Sequence, residues 1–190
     1  MTRFQDRAAR VFSTVIAGCS SVTLLFAPAM ALAATATFYP MLDGTYTSWT
    51  PSTGTAHYPR VNESPCNGNT DYVYFPNGSG LEVRDSYVLN LAAIPDGSRI
   101  TKITVTPCAS RHDTDTSSST ILNVFYRYGS SNSSLKGNYS LSGTTPTVLL
   151  SSFWDVDITK GGTLLQVGIS FHGGSAGARV SNLKTVIEYE

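Results

Sequence analysis

The sequence predicts an all-β protein, an antiparallel β-sandwich of jelly-roll type. Three observations carry that prediction. After residue 33 no stretch sustains the periodicity of an amphipathic helix. Instead, roughly eight to ten short alternating or β-branched runs recur at about ten-residue spacing, each bounded by Gly, Pro, Asn or Asp. No helix-length segment separates consecutive runs, which excludes βαβ units and a parallel sheet.

The elements follow in order. Residues 35–39 form a short first strand ending at Pro40, and Asp43-Gly44 turns the chain. Residues 47–70 are loop-rich, with Pro51, Gly54, Pro59, Pro65 and Asn67-Gly68. Residues 71–75 are a strand of aromatics and Val, closed by Pro76-Asn77-Gly78. Residues 81–91 place Leu81, Val83, Asp85, Tyr87, Leu89 and Leu91 on one face, mostly apolar. After the turn at Pro95-Asp96-Gly97-Ser98, residues 100–106 are dense in β-branched side chains. Residues 110–120 are polar and serine-rich and read as an exposed loop. Residues 121–128 put Leu122, Val124 and Tyr126 on one face, and 130–134 form another polar loop. Short strands at 138–141 and 147–150 surround Gly143 and Pro146. Residues 164–171 alternate Leu165, Val167, Ile169 and Phe171, and Gly173-Gly174 turns the chain. Residues 178–189 close it with Val180, Leu183, Val186 and Ile187 as the apolar positions.

A length of 190 residues suits one domain. Charged residues make up 14%, against roughly 25% in an average soluble protein, and the formal net charge is zero. That balance excludes a polybasic nucleic-acid binder and an acidic tail. A hydrophobic content of 41% with 11% aromatics excludes wholesale disorder. Residues 1–33 read as a secretory signal peptide: Arg3, Arg7 and Arg10, then an apolar run from Val11 to Phe26, then Ala31-Leu32-Ala33. Cleavage is expected between Ala33 and Ala34, releasing one domain, 34–190, to the exterior or the cell surface. Ile16-Ala17-Gly18-Cys19 also fits a lipobox, in which acylated Cys19 would anchor the chain to a membrane. Cleavage removes three arginines and Asp6, leaving ten basic and twelve acidic residues, so no steering toward phosphate or anionic lipid is expected. Export places Cys66 and Cys108 in an oxidising compartment, where a disulfide is the default. It would close a loop of about 40 residues.

The segment Trp49-Thr50-Pro51-Ser52-Thr53-Gly54, then Tyr58, Val61-Asn62-Glu63 and Asp71-Tyr72-Val73-Tyr74 form a recognisable opening. Ile94-Pro95-Asp96-Gly97, Trp154-Asp155 and Leu165-Gln166-Val167-Gly168-Ile169 continue it. Together they resemble an uncharacterised jelly-roll domain found in phage tail, prophage and bacterial surface proteins. The resemblance spans nearly all of 34–190 and implies a non-catalytic module with Trp49 as a buried anchor. The cysteine pair and the leader depart from that pattern and imply an exported version.

Candidate chemistry is sparse. Asp113 and Asp115, beside Arg111 and His112, could line a cation loop, but two carboxylates fall short of calcium's six to eight oxygens. A solvated loop is the other reading. Asp155 and Asp157 alternate along a strand-like segment and would share a face, as a hydrolase pair requires. His57, His112 and His172 show no zinc spacing, and no GxSxG elbow occurs. The tyrosines concentrate early: Tyr46, Tyr58, Tyr72 and Tyr74 could form a platform for a glycan or a protein partner, with Asn, Asp and Arg at its flanks. Strand 35–39 could dock in its own sheet or pair with a neighbour's edge and drive self-assembly. Three function classes therefore stay open: an exported structural or adhesive module, a carbohydrate-binding module, and a secreted hydrolase using carboxylates.

Overall fold

The computed structural model describes residues 33–62, 64–66, 70–76, 82–112, 120–172 and 177–190. Residues 1–32 of the expected leader, with the candidate lipobox residue Cys19, and Asp113 and Asp115 lie outside them. In chain order the strands are β1 (Ala34–Phe38), β2 (Pro40–Thr47), β3 (Thr50–Pro51), β4 (Val73–Phe75), β5 (Val83–Leu89), β6 (Arg99–Arg111) and β7 (Thr120–Tyr128). They continue as β8 (Ser131–Asn132), β9 (Lys136–Leu141), β10 (Thr147–Val148), β11 (Ser151–Phe153), β12 (Ile158–Thr159), β13 (Leu165–His172) and β14 (Ala178–Tyr189). A 3-10 turn spans Tyr58–Arg60.

These strands form two antiparallel sheets packed as a sandwich. The larger sheet is built on the long pairing of β6 with β14; β10, β11 and β12 line the free side of β6, and β1 and β4 share that of β14, with β3 beyond β4. The second sheet runs β2-β5-β13-β7, with β8 and β9 both on β7. Alternation fixes what faces inward. Leu165, Val167, Ile169 and Phe171 of β13 meet Ile103 and Val105 of β6 and Val180, Leu183 and Ile187 of β14 in one buried cluster, which Trp49 also joins.

The structure departs from the sequence pattern in three places. First, β6 runs through Pro107 to Arg111, so Ser110 and Arg111 are buried strand residues rather than the start of a solvated loop. Pro107 is tolerated because its carbonyl accepts from Leu149 on the side where β10 has ended and β11 has not begun. The missing N–H faces that same gap. Second, β14 carries a bulge between Val180 and Asn182, which puts Leu183 in phase with Val180 on the core face. Val186 then turns away while Thr185 and Ile187 are buried. Third, residues 154–157 are not a strand, and Asp155 has φ 55°.

Cys66 and Cys108 form a disulfide with Cα atoms 5.5 Å apart, 42 residues apart in the chain. It ties the loop-rich segment after Trp49 to the C-terminal part of the core strand β6. Strand β1 pairs with β14 of its own sheet through five residue pairs, Ala34↔Tyr189 to Phe38↔Thr185.

Candidate functional site

The outer face of the β2-β5-β13-β7 sheet holds a cluster of aromatic and hydrogen-bonding side chains drawn from several strands. Its floor depends on Gly168. That residue pairs with Ser86 on one side and Phe125 on the other, and a Cβ there would stand 2.3 Å from Phe125 Cζ. The empty position lets the Phe125 ring lie across β13, fully buried.

β2 supplies the next layer. Its register slips between Asp43 and Thr47, so residues 44–46 rise as a bulge over this face. Gly44 lies so close that a Cβ would meet Gln166 Oε1 at 2.4 Å and Ser86 Oγ at 2.5 Å. The bulge's backbone donors are met by side chains rather than by a strand. Gln166 Oε1 accepts from the Thr45 N–H at 2.8 Å and from Ser86 Oγ at 2.9 Å, and Ser86 Oγ accepts from the Tyr46 N–H at 3.0 Å. Gln166 Nε2 donates to Thr45 Oγ1 at 3.0 Å. Every polar atom named here has a partner, as burial requires.

The bulge sets Tyr46 edge-on to Phe125, ring centroids 5.9 Å apart. Arg84 and Arg127 flank the Tyr46 ring at 5.7 and 5.6 Å, and Arg84 also covers Phe125 at 5.1 Å. Asn132 Nδ2, on β8, donates to the Tyr46 hydroxyl at 2.8 Å. That bond, with the charges of Arg127 and Arg84, holds the phenol below its ordinary value of 10 against the opposing effect of burial. Glu82 pairs with Arg84 and accepts from Ser170 Oγ at 3.0 Å; the Arg84 bond is the main reason its carboxyl sits low. Tyr46, Ser48, Glu82 and Arg84 line an open depression of about 360 Å³.

The other predicted tyrosines are elsewhere. Tyr72 and Tyr74 are on the outer side of the opposite sheet, where Tyr74 stacks on His112 at 4.2 Å and Arg179 covers Tyr72 at 5.5 Å. Tyr58 sits on the 3-10 turn, packed against the core, with its N–H donating to Asp43 Oδ1 at 2.6 Å. One platform of four tyrosines is therefore not formed, because β2 and β4 belong to different sheets. Of the carboxylate pair, Asp157 binds Arg99 at 2.9 Å, and both aspartates lie in a connection rather than along one strand face. Arg111 is buried and donates through Nε to Leu141 O at 2.8 Å. Among the described residues no group of three or more His, Cys, Asp or Glu could hold a metal ion. Among them, too, no helix is long and apolar enough to cross a membrane.

Sequence reasoning passed over a buried polar network. Asp85 occupies a core-facing position on β5 at 0% exposure. Its Oδ2 lies 2.8 Å from His57 Nδ1 and accepts from the Tyr87 hydroxyl at 2.7 Å, while Oδ1 has no partner. Asp43 accepts from the His57 N–H through both oxygens, at 3.0 and 3.1 Å. The network pins the 3-10 turn to β2 and β5, at the root of the Tyr46 bulge. Burial pushes the Asp85 carboxyl from 3.8 up to about 6, with the His57 and Tyr87 bonds pulling the other way. Because the folded value is the higher one, this contribution to stability is complete below pH 3.8 and is lost as pH rises through about 6. Urea unfolding of wild type and Asp85→Asn at pH 4 and pH 7 reads this directly. Wild type is expected to gain up to about 3 kcal/mol over the variant on acidification, and a difference independent of pH contradicts it. Shifted carboxyls often mark active sites, but this one is sealed from any substrate.

No family model matches the chain, and no curated protein matches it. Among solved structures it is similar to one described as "Family 16 Carbohydrate Binding Module-2", at a TM-score of 0.37 and 12% identity over 63% of this chain and 78% of that one. A likeness at that level bears no weight for the ligand.

Proposed function

We propose that the protein is an exported, non-catalytic module that binds carbohydrate on the outer face of the β2-β5-β13-β7 sheet. The observation that carries this reading is Tyr46, footed on Phe125 and ringed by Asn132, Arg84 and Arg127. A sugar presents C–H groups on one face of its ring and hydroxyls around its rim. An aromatic ring answers the first, and amide, hydroxyl and guanidinium groups answer the second. The side chains stand on strands or on a bulge bonded to strands, which presets their geometry.

The export part rests on the basic, apolar and small-residue order of residues 1–33, and a disulfide suits an oxidising compartment. Mass spectrometry of the exported protein is expected to find a chain starting at Ala34. A diacylated start at Cys19 contradicts free release. The self-assembly reading would require β1 to peel away from its five pairs with β14 before meeting a neighbour. Against the hydrolase reading, Asp157 is paired with Arg99 and Asp85 is enclosed.

The test is an oligosaccharide array probed with labelled wild type and Tyr46→Ala. Wild type is expected to retain at least one glycan class, and the variant to lose it by tenfold or more. No retained class, or retention indifferent to the substitution, overturns the proposal.

A further inference from the structure

We infer that the glycan this face takes is acidic, with a carboxylate-bearing (uronate) residue seated against Arg127. The inference rests on the carbohydrate reading above and adds the ligand's charge. Its ground is a local charge imbalance beside Tyr46. The mature chain as expected holds ten basic and twelve acidic residues. The outer sheet face runs the other way. Around Tyr46 the cations are Arg84 and Arg127, and among the described residues Glu82 is the carboxylate paired there, with Arg84.

Glu82 is committed to Arg84, which it meets through Nε. Arg127 differs. Among the described residues no carboxylate pairs with it. Its Nη1 donates to the Ser130 carbonyl and to Asn132 Oδ1, each at 2.9 Å, so two neutral acceptors fix its direction without cancelling its charge. Its Nε is shielded from water and has no partner. The guanidinium is thus oriented, partly desolvated and without a counter-charge, 5.6 Å from the ring on which the sugar would stack.

With both Nη1 protons given to Ser130 and Asn132 and Nε shielded, Nη2 is the donor left for a ligand, and a carboxylate answers it better than a hydroxyl because the bond is charge-assisted and the charges cancel. A sugar set against the Tyr46 ring would turn its C5 carboxylate toward the Arg127 guanidinium, whose Cζ is 5.6 Å from the ring centroid. Arg84 stays neutralised by Glu82, so a single carboxylate per bound unit suffices.

The probes are an oligouronate and the same oligosaccharide after reduction of its carboxyl groups to alcohols, measured by calorimetry at 50 and 300 mM salt. The expected result is at least tenfold tighter binding of the oligouronate at 50 mM, narrowing at 300 mM as screening grows. Arg127→Gln is expected to lose that preference, and Arg127→Lys, which keeps the charge without the two hydrogen bonds that aim it, to keep part of it. Thermal melts of both variants show whether the fold survives. Equal binding of the two probes by wild type, or an unchanged preference in a folded Arg127→Gln, overturns the acidic assignment while leaving the carbohydrate reading standing. Binding of neither probe overturns both.

Discussion

Reducing the Cys66–Cys108 disulfide destabilises the protein by about 4 kcal/mol, the chain-entropy value for a loop of this length. The bond spans 42 residues. That interval includes β4 and β5, the latter carrying Asp85 and Arg84. Without the cross-link the unfolded chain regains the freedom of the whole interval. Cys108 is buried beside Ser181, whose hydroxyl donates to its sulfur at 3.3 Å, so reduction leaves a thiol already accommodated and the loss comes chiefly from the unfolded state. Urea unfolding with and without reductant measures it, and thiol titration of the unfolded chain should rise by two groups on reduction. An unfolding free energy unmoved by reductant contradicts the assigned staple.

Gly168→Ala is the second large effect. The added methyl would stand 2.3 Å from Phe125 Cζ and 2.6 Å from the Asp85 carbonyl oxygen. One neighbour is a fully buried ring and the other is backbone, so neither yields cheaply. Overpacking of this kind costs about 1–3 kcal/mol, or roughly 2–4 °C in Tm for each kcal/mol in a domain of this size. The displaced ring is also the footing of Tyr46, so glycan binding should fall with stability. Gly161→Ala is the matched control, since nothing lies within 4 Å of its added Cβ. It should stay within about 0.5 kcal/mol of wild type. A Gly168→Ala protein as stable as that control would show that Phe125 does not lie where the fold puts it.

The sandwich was legible in the sequence because its core strands obey the period of two. Leu165, Val167, Ile169 and Phe171 alternate as written and are all buried. What escaped were features with no period. The bulge at Val180–Asn182 breaks the alternation, so Val186 was grouped with the core and Thr185 was not. The continuation of β6 past Pro107 is set by where neighbouring strands stop, which no local pattern records. The site was legible only in part. Tyr46 was singled out as an aromatic near polar flanks, yet its flanks, Arg84, Arg127 and Asn132, come from 38 to 86 positions along the chain. Gly44, Ser86, Gln166 and Gly168 gave signals that sequence alone assigns to turns or to ordinary strand positions. Their meaning is a close approach of β2 to β5 and β13, visible only once the strands are paired.

The measurement that tests the central claim most directly is a chemical-shift map of the protein's amides during titration with an oligouronate and, separately, its carboxyl-reduced form. The account predicts that with at least one of them the perturbed amides cluster at residues 45–48, 84, 125–132 and 168–170. Perturbations centred on Tyr72, Tyr74 and His112 of the opposite sheet, or none with either probe, would contradict it.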